Sequence, residues 1–127
     1  MIWHKSVGRL SYGPGIRIIL LVDQQIADYY YSLVPKYVDL SRQAYDAHVS
    51  VVRHEKPTDT SAWGDYDRDE AGFEYGTQVF HDETYYWLEV VSPRLREIRK
   101  ELGLTTYPPW RNGYHLTLGN VKHQRKD

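Results

Sequence analysis

Read for the spacing of its apolar residues, the chain begins as strand, turns to helix, returns to strand and then repeats that order. Trp3 to Tyr12 and Ile16 to Val22 are β-rich runs separated by Gly13-Pro14-Gly15, a turn with two glycines free to take positive φ. They predict an N-terminal hairpin whose second strand, apolar nearly throughout, is covered on both faces. Asp23 stands as an N-cap; Ile26, Tyr30, Leu33 and Val34 then recur at helical spacing until Pro35 ends the run. A loop or short helix over 36–46 leads into Ala47-His48-Val49-Ser50-Val51-Val52-Arg53, which alternates as a strand does.

The stretch 54–71 is polar and lacks periodicity, and a connection of that length reads as a lid or binding loop. Phe73 to Phe80 and Tyr85 to Val91 predict a second hairpin around His81-Asp82-Glu83-Thr84. Ser92-Pro93 is an N-cap with proline at the first helical position. Leu95, Ile98 and Leu102 form the expected buried stripe, with Arg94, Arg96, Arg99, Lys100 and Glu101 outside, and Gly103 sits where a left-handed C-terminal residue belongs. A loop carrying Tyr107 and Trp110 precedes a second alternating strand, Tyr114-His115-Leu116-Thr117-Leu118-Gly119-Asn120. Hairpin, helix, loop and strand thus occur twice. The expectation is a single domain over 1–127, an α+β arrangement of duplicated β-β-α-β units, with halves of roughly 1–55 and 72–122 related by a pseudo-twofold axis.

The two alternating strands share a pattern: His, apolar, small hydroxyl, apolar. Alternate side chains of a strand share a face, so His48 lies with Ser50 and His115 with Thr117. A pseudo-twofold axis sets the two pairs across one cleft. Cleaving a phosphodiester without a metal needs a base for the nucleophile, an acid for the leaving oxygen and donors for the phosphoryl oxygens. One neutral and one protonated imidazole supply the first two near neutral pH, and two hydroxyls supply the third. His48 and His115 are therefore the candidate catalytic pair, and Ser50 and Thr117 the candidate phosphate binders. Arg53 is a further candidate for phosphate, and Trp63, Tyr107 and Trp110 are candidates to stack on a base from the loops beside the histidine strands.

The paired motifs resemble those of the 2H phosphoesterases, which include RNA-ligase-like cyclic phosphodiesterases, small phage RNA-repair-like proteins and phage anti-CBASS nucleases. That resemblance covers nearly the whole chain. It implies a two-lobed 2H phosphoesterase-like fold with a central cleft, with His48 and His115 as the acid–base pair and Ser50 and Thr117 binding phosphate. The substrate it implies is a 2′,3′-cyclic phosphate or a small or cyclic oligonucleotide signal, turned over without metal or cofactor. The rival expectation is a non-catalytic nucleotide-binding sponge that uses the same cleft.

Composition narrows the partners. Lys and Arg number 16 against 17 Asp and Glu, a net charge of −1, so a footprint for long duplex DNA is not expected. The absence of cysteine excludes disulfides, thiolate zinc sites and cysteine nucleophiles. Asp65, Asp67 and Asp69 imitate the start of a calcium loop, but Glu70 and Gly76 stand where glycine and glutamate are needed, so no metal is expected. With no apolar run of spanning length and no leader-like start, no membrane partner is expected and the default compartment is the cytoplasm. For a phage member of the family that means the host cytoplasm.

Overall fold

The first hairpin sets the frame. The computed structural model describes residues 1–110 and 113–124. Strand β1 (Trp3–Gly13) turns through Gly15 and Ile16, at φ 75° and 56°, into β2 (Arg17–Leu21), which runs antiparallel beside it. Of the glycines expected to take positive φ in this turn, Gly13 stays in the strand and Ile16 takes the strained place instead. Asp23 accepts a hydrogen bond from the Gln25 amide at 2.9 Å and starts α1 (Gln24–Leu33). After a short 3₁₀ turn come β3 (Ser41–Arg42), too brief to register as a pattern, and β4 (His48–Val52), which returns beside β2.

The second half follows the same course. β5 (Glu70–His81) pairs with β1, and β6 (Tyr85–Val91) with β5. Ser92 accepts from the Leu95 amide at 3.2 Å and donates to the Gly72 carbonyl at 2.7 Å, so one hydroxyl both caps α2 (Pro93–Glu101) and ties it to β5. β7 (Tyr114–Asn120) then lies between β6 on one side and, on the other, β4 and the short β3, each paired directly with it.

The β7–β6 pairing closes the ring β7-β4-β2-β1-β5-β6. This overturns the two-lobed α+β expectation: the described residues form a closed six-stranded antiparallel barrel with two short α-helices, and among them no cleft divides two lobes. The physical reason lies in strand edges. Each three-stranded arc, β4-β2-β1 or β7-β6-β5, would leave two open edges if it stood alone. Pairing β1 with β5 and β4 with β7 satisfies all four at once, and a closed barrel has no edge left to protect.

A barrel of this size is filled by its own side chains. Leu10, Ile18, Leu20, Val49, Val51, Leu88 and Leu116 are fully buried. Ala27 and Tyr30 reach in from α1, and Leu95, Ile98 and Leu102 from α2. The helices follow β2 and β6, which end at opposite mouths of the ring. Among the described residues no helix is long and apolar enough to cross a membrane.

Arg99 departs from the sequence reading. Expected on the outer face of α2, it is 0% exposed. Its Nη1 donates to the Val51 carbonyl at 2.8 Å and to Glu55 at 2.7 Å, Nη2 donates to the other Glu55 oxygen at 2.8 Å, and Nε donates to the Thr105 carbonyl at 2.6 Å. Such a bidentate pair, with its spare donors satisfied, is how a guanidinium tolerates burial. Gly103 takes φ 74°, and a Cβ there would strike the Thr58 hydroxyl at 1.8 Å. The connection 54–69 is accordingly packed down: Thr58 and Asp59 donate to the Leu102 carbonyl, and Leu10 exchanges backbone bonds with Arg68 and Asp69.

Candidate active site

Val49 stands opposite Leu116 in the antiparallel β4–β7 pair, and both are fully buried. Their neighbours face the other way, to the outside of the barrel wall. In that register His48 lies beside Thr117, and Ser50 beside His115. All four are half-buried. The two histidines sit on a diagonal, for which strand geometry gives a separation of about 7–8 Å. The His48 ring is fixed through Nδ1, 2.8 Å from the Asp46 carbonyl. If that nitrogen carries the proton, Nε2 is left to accept one.

The closed ring extends this face on both sides. Across β6, Trp87 stands opposite Thr117, and Glu89 opposite His115. The Trp87 ring meets His115 edge-on, with centroids 6.4 Å apart. Phe80, on β5, is opposite Trp87. Across β2, Leu21 is opposite His48 and Ile19 opposite Ser50. The rungs of the outer face therefore read Phe80, Trp87, Thr117, His48, Leu21, and next to it Glu89, His115, Ser50, Ile19. Sequence reasoning missed Trp87 and Glu89. Their only signal is alternation within the second hairpin, which puts them on the face opposite Leu88 and Val90; the neighbour they would meet depends on ring closure.

The remaining candidates are placed elsewhere. Arg53 follows the last residue of β4, exposed, five positions beyond His48. Trp63 packs against the core and meets the Tyr12 ring edge-on at 5.1 Å. Tyr107 is exposed and takes a hydrogen bond from Arg96, with its ring 6.3 Å from that of Tyr114. Trp110 is half-buried before Gly113, whose amide it accepts. Tyr114, the chain neighbour of His115, points inward: its hydroxyl donates to the Thr106 carbonyl at 2.8 Å, and burial drives that hydroxyl well above the ordinary tyrosine range. Asp67, one of the three aspartates of the false calcium loop, accepts from the Tyr12 amide at 3.0 Å and serves as a backbone latch.

What the face offers chemically is two imidazoles and two hydroxyls at adjoining positions of two paired strands, with an indole opposite one hydroxyl and a carboxylate opposite one imidazole. Among the described residues no three His, Asp or Glu side chains gather as a metal site would require. No family model, curated protein or solved structure matches the chain.

Proposed function

We propose that the His48–Ser50–His115–Thr117 face binds a nucleotide phosphodiester and cleaves it by two-histidine acid–base catalysis without a metal. The observation that carries this reading is the Val49–Leu116 register, which gathers four side chains from two distant stretches onto one patch of the barrel wall. The resemblance of the two motifs to those of 2H phosphoesterases supports it at the level of the residues.

A phosphate over the patch has its non-bridging oxygens within reach of the Ser50 and Thr117 hydroxyls. One histidine, neutral, takes the proton of the nucleophile, either water on a 2′,3′-cyclic phosphate or a neighbouring 2′-hydroxyl. The other, protonated, gives its proton to the departing oxygen as the P–O bond breaks. Each position of a general acid or base contributes about 10²–10⁴ in rate. Glu89 stands opposite His115 on β6, and the Asp46 carbonyl orients the His48 ring; either imidazole can take the acid's part with the other as base. Trp87 offers a ring on which the attached base stacks, worth about 1–3 kcal/mol.

The test is turnover in EDTA of 2′,3′-cyclic mononucleotides, cyclic dinucleotides and 2′-5′ oligoadenylates. Activity is expected to survive the chelator and to rise and fall with pH. His48→Ala and His115→Ala should each lower kcat by about 10²–10⁴. Nucleotide recovered intact by mass analysis after tight binding would overturn catalysis in favour of a sponge.

A further inference from the structure

A cation that the acid–base chemistry leaves unused sits next to this face. β3 lies along the same side of β7 as β4, and Arg42 stands opposite Gly119, two residues beyond Thr117. Arg42, Gln43, Gln24, Asp28 and Thr117 line one hollow between β7 and the first turns of α1. The guanidinium is positioned from two directions: Asp28 accepts from Nη1, and the Tyr31 ring centroid lies 4.3 Å away. Gln24 donates to the same Asp28 oxygen at 3.1 Å, and Gln43 accepts from the Asn120 amide at 3.0 Å. Arg42 nonetheless keeps 57% of its side chain exposed, and Asp28 takes one donor of a group that has five.

We propose that this hollow is a second phosphate subsite, which makes the preferred substrate a short oligonucleotide bearing a phosphate adjacent to the one attacked, rather than a lone cyclic mononucleotide. The subsite deepens the phosphodiesterase reading and rests on it. Arg42, across from Gly119 on β3, lines the same hollow as Thr117, so the two side chains border one space next to the attacked phosphate. A phosphate held at Thr117 therefore sets its neighbour against Arg42. The planar fork of arginine suits two oxygens of that neighbour at once. Asp28 has a double effect, since it orients the guanidinium and also competes with the phosphate for it.

The experiment compares binding of two deoxy-dinucleotides to the full chain, one with a terminal phosphate and one without, and assays cleavage of the matching ribo-dinucleotides. The terminal phosphate is expected to tighten binding roughly tenfold. Arg42→Gln should erase that preference and flatten the slope of log K against log salt by about 0.7. Arg42→Lys should keep part of the preference, and Asp28→Asn should enlarge it by removing the competing carboxylate. A merely structural Arg42 would weaken both ligands alike, which would overturn the subsite. Binding without preference for the terminal phosphate, or a preference that survives Arg42→Gln, overturns the subsite and leaves the phosphodiesterase reading in place. An Arg42-dependent preference with neither ribo-dinucleotide cleaved supports the subsite and overturns the catalytic reading. No binding of either ligand overturns both.

Discussion

Two seams join the halves of the barrel, and they are built differently. Along β1 and β5 the strands face one another without a break from Trp3 opposite Gly76 to Arg9 opposite Glu70. Between β4 and β7 a single opposed pair, Val49 and Leu116, holds the register, and only the two pairs Ser41–Asn120 and Arg42–Gly119 of β3 add to it further along β7. The long seam carries Lys5, Val7, Gly72 and Glu74, none of which the chemistry needs. The short seam carries every member of the histidine–hydroxyl quartet. Backbone pairing has been given up where the reactive groups lie, and side chains replace it: Arg99 reaches from α2 to the Val51 carbonyl and to Glu55, joining the second half to the first at the end of β4. A seam held by few backbone bonds is the part of a sheet expected to open at the lower free energy.

The contrast is broken most severely at Arg99. Arg99→Met strands the Glu55 carboxylate and the Val51 carbonyl, and denaturant unfolding should show a loss of about 3–5 kcal/mol. Lys5→Ala on the other seam should stay within about 0.5 kcal/mol of the parent. Pairing Arg99→Met with Glu55→Gln should recover part of the loss. Next in size is Gly119→Ala, whose new Cβ would lie 2.3 Å from the Ser41 carbonyl and so push β3 off β7. Overpacking of this kind costs about 1–3 kcal/mol, and it should also weaken binding of phosphate-bearing ligands by displacing Arg42. Hydrogen exchange then sharpens the comparison without mutation: amides of 3–9 and 70–76 are expected to exchange more slowly than those of β4 and the first half of β7. Equal protection of the two seams would show that they do not differ in strength.

The smallest effect is a pH dependence. Gln24, and then Arg42, hold the Asp28 carboxyl below its ordinary range. The folded chain therefore sheds that proton more readily than the unfolded chain. The stability it contributes is present above the unfolded value of about 4 and is lost as pH falls below it. Asp28→Asn should slightly reduce the fall in Tm between about pH 5 and 3, because Asn carries no proton to be regained.

The local grammar of the chain was readable. Asp23 and Ser92 cap their helices, and the alternation in 47–53 and 114–120 turns His48, Ser50, His115 and Thr117 away from Val49 and Leu116. Long-range pairing was not. Nothing in the residues says that β6 pairs with β7, so Trp87 and Glu89 could not be set beside the quartet, and the aromatic candidates fell on loops instead. β3, of two residues, is too short to show a period, which hid Arg42. Arg99 is a different kind of miss. With Leu95, Ile98 and Leu102 it completes the i, i+3, i+4, i+7 stripe of a helix, so its position marked it for burial. The charge argued for the surface, and Glu55, 44 residues away, decided against it.

Counted within each half, strand order in the ring reads third, second, first, first, second, third, two arcs of three strands each. Cutting the polypeptide inside the 54–69 connection would leave two fragments, each with a pair of bare hydrogen-bonding margins flanked by apolar side chains. Apart, such fragments are prone to aggregate. Mixed, they have one arrangement that covers all four margins, so the barrel is a natural candidate for splitting into a reporter whose signal depends on reassembly.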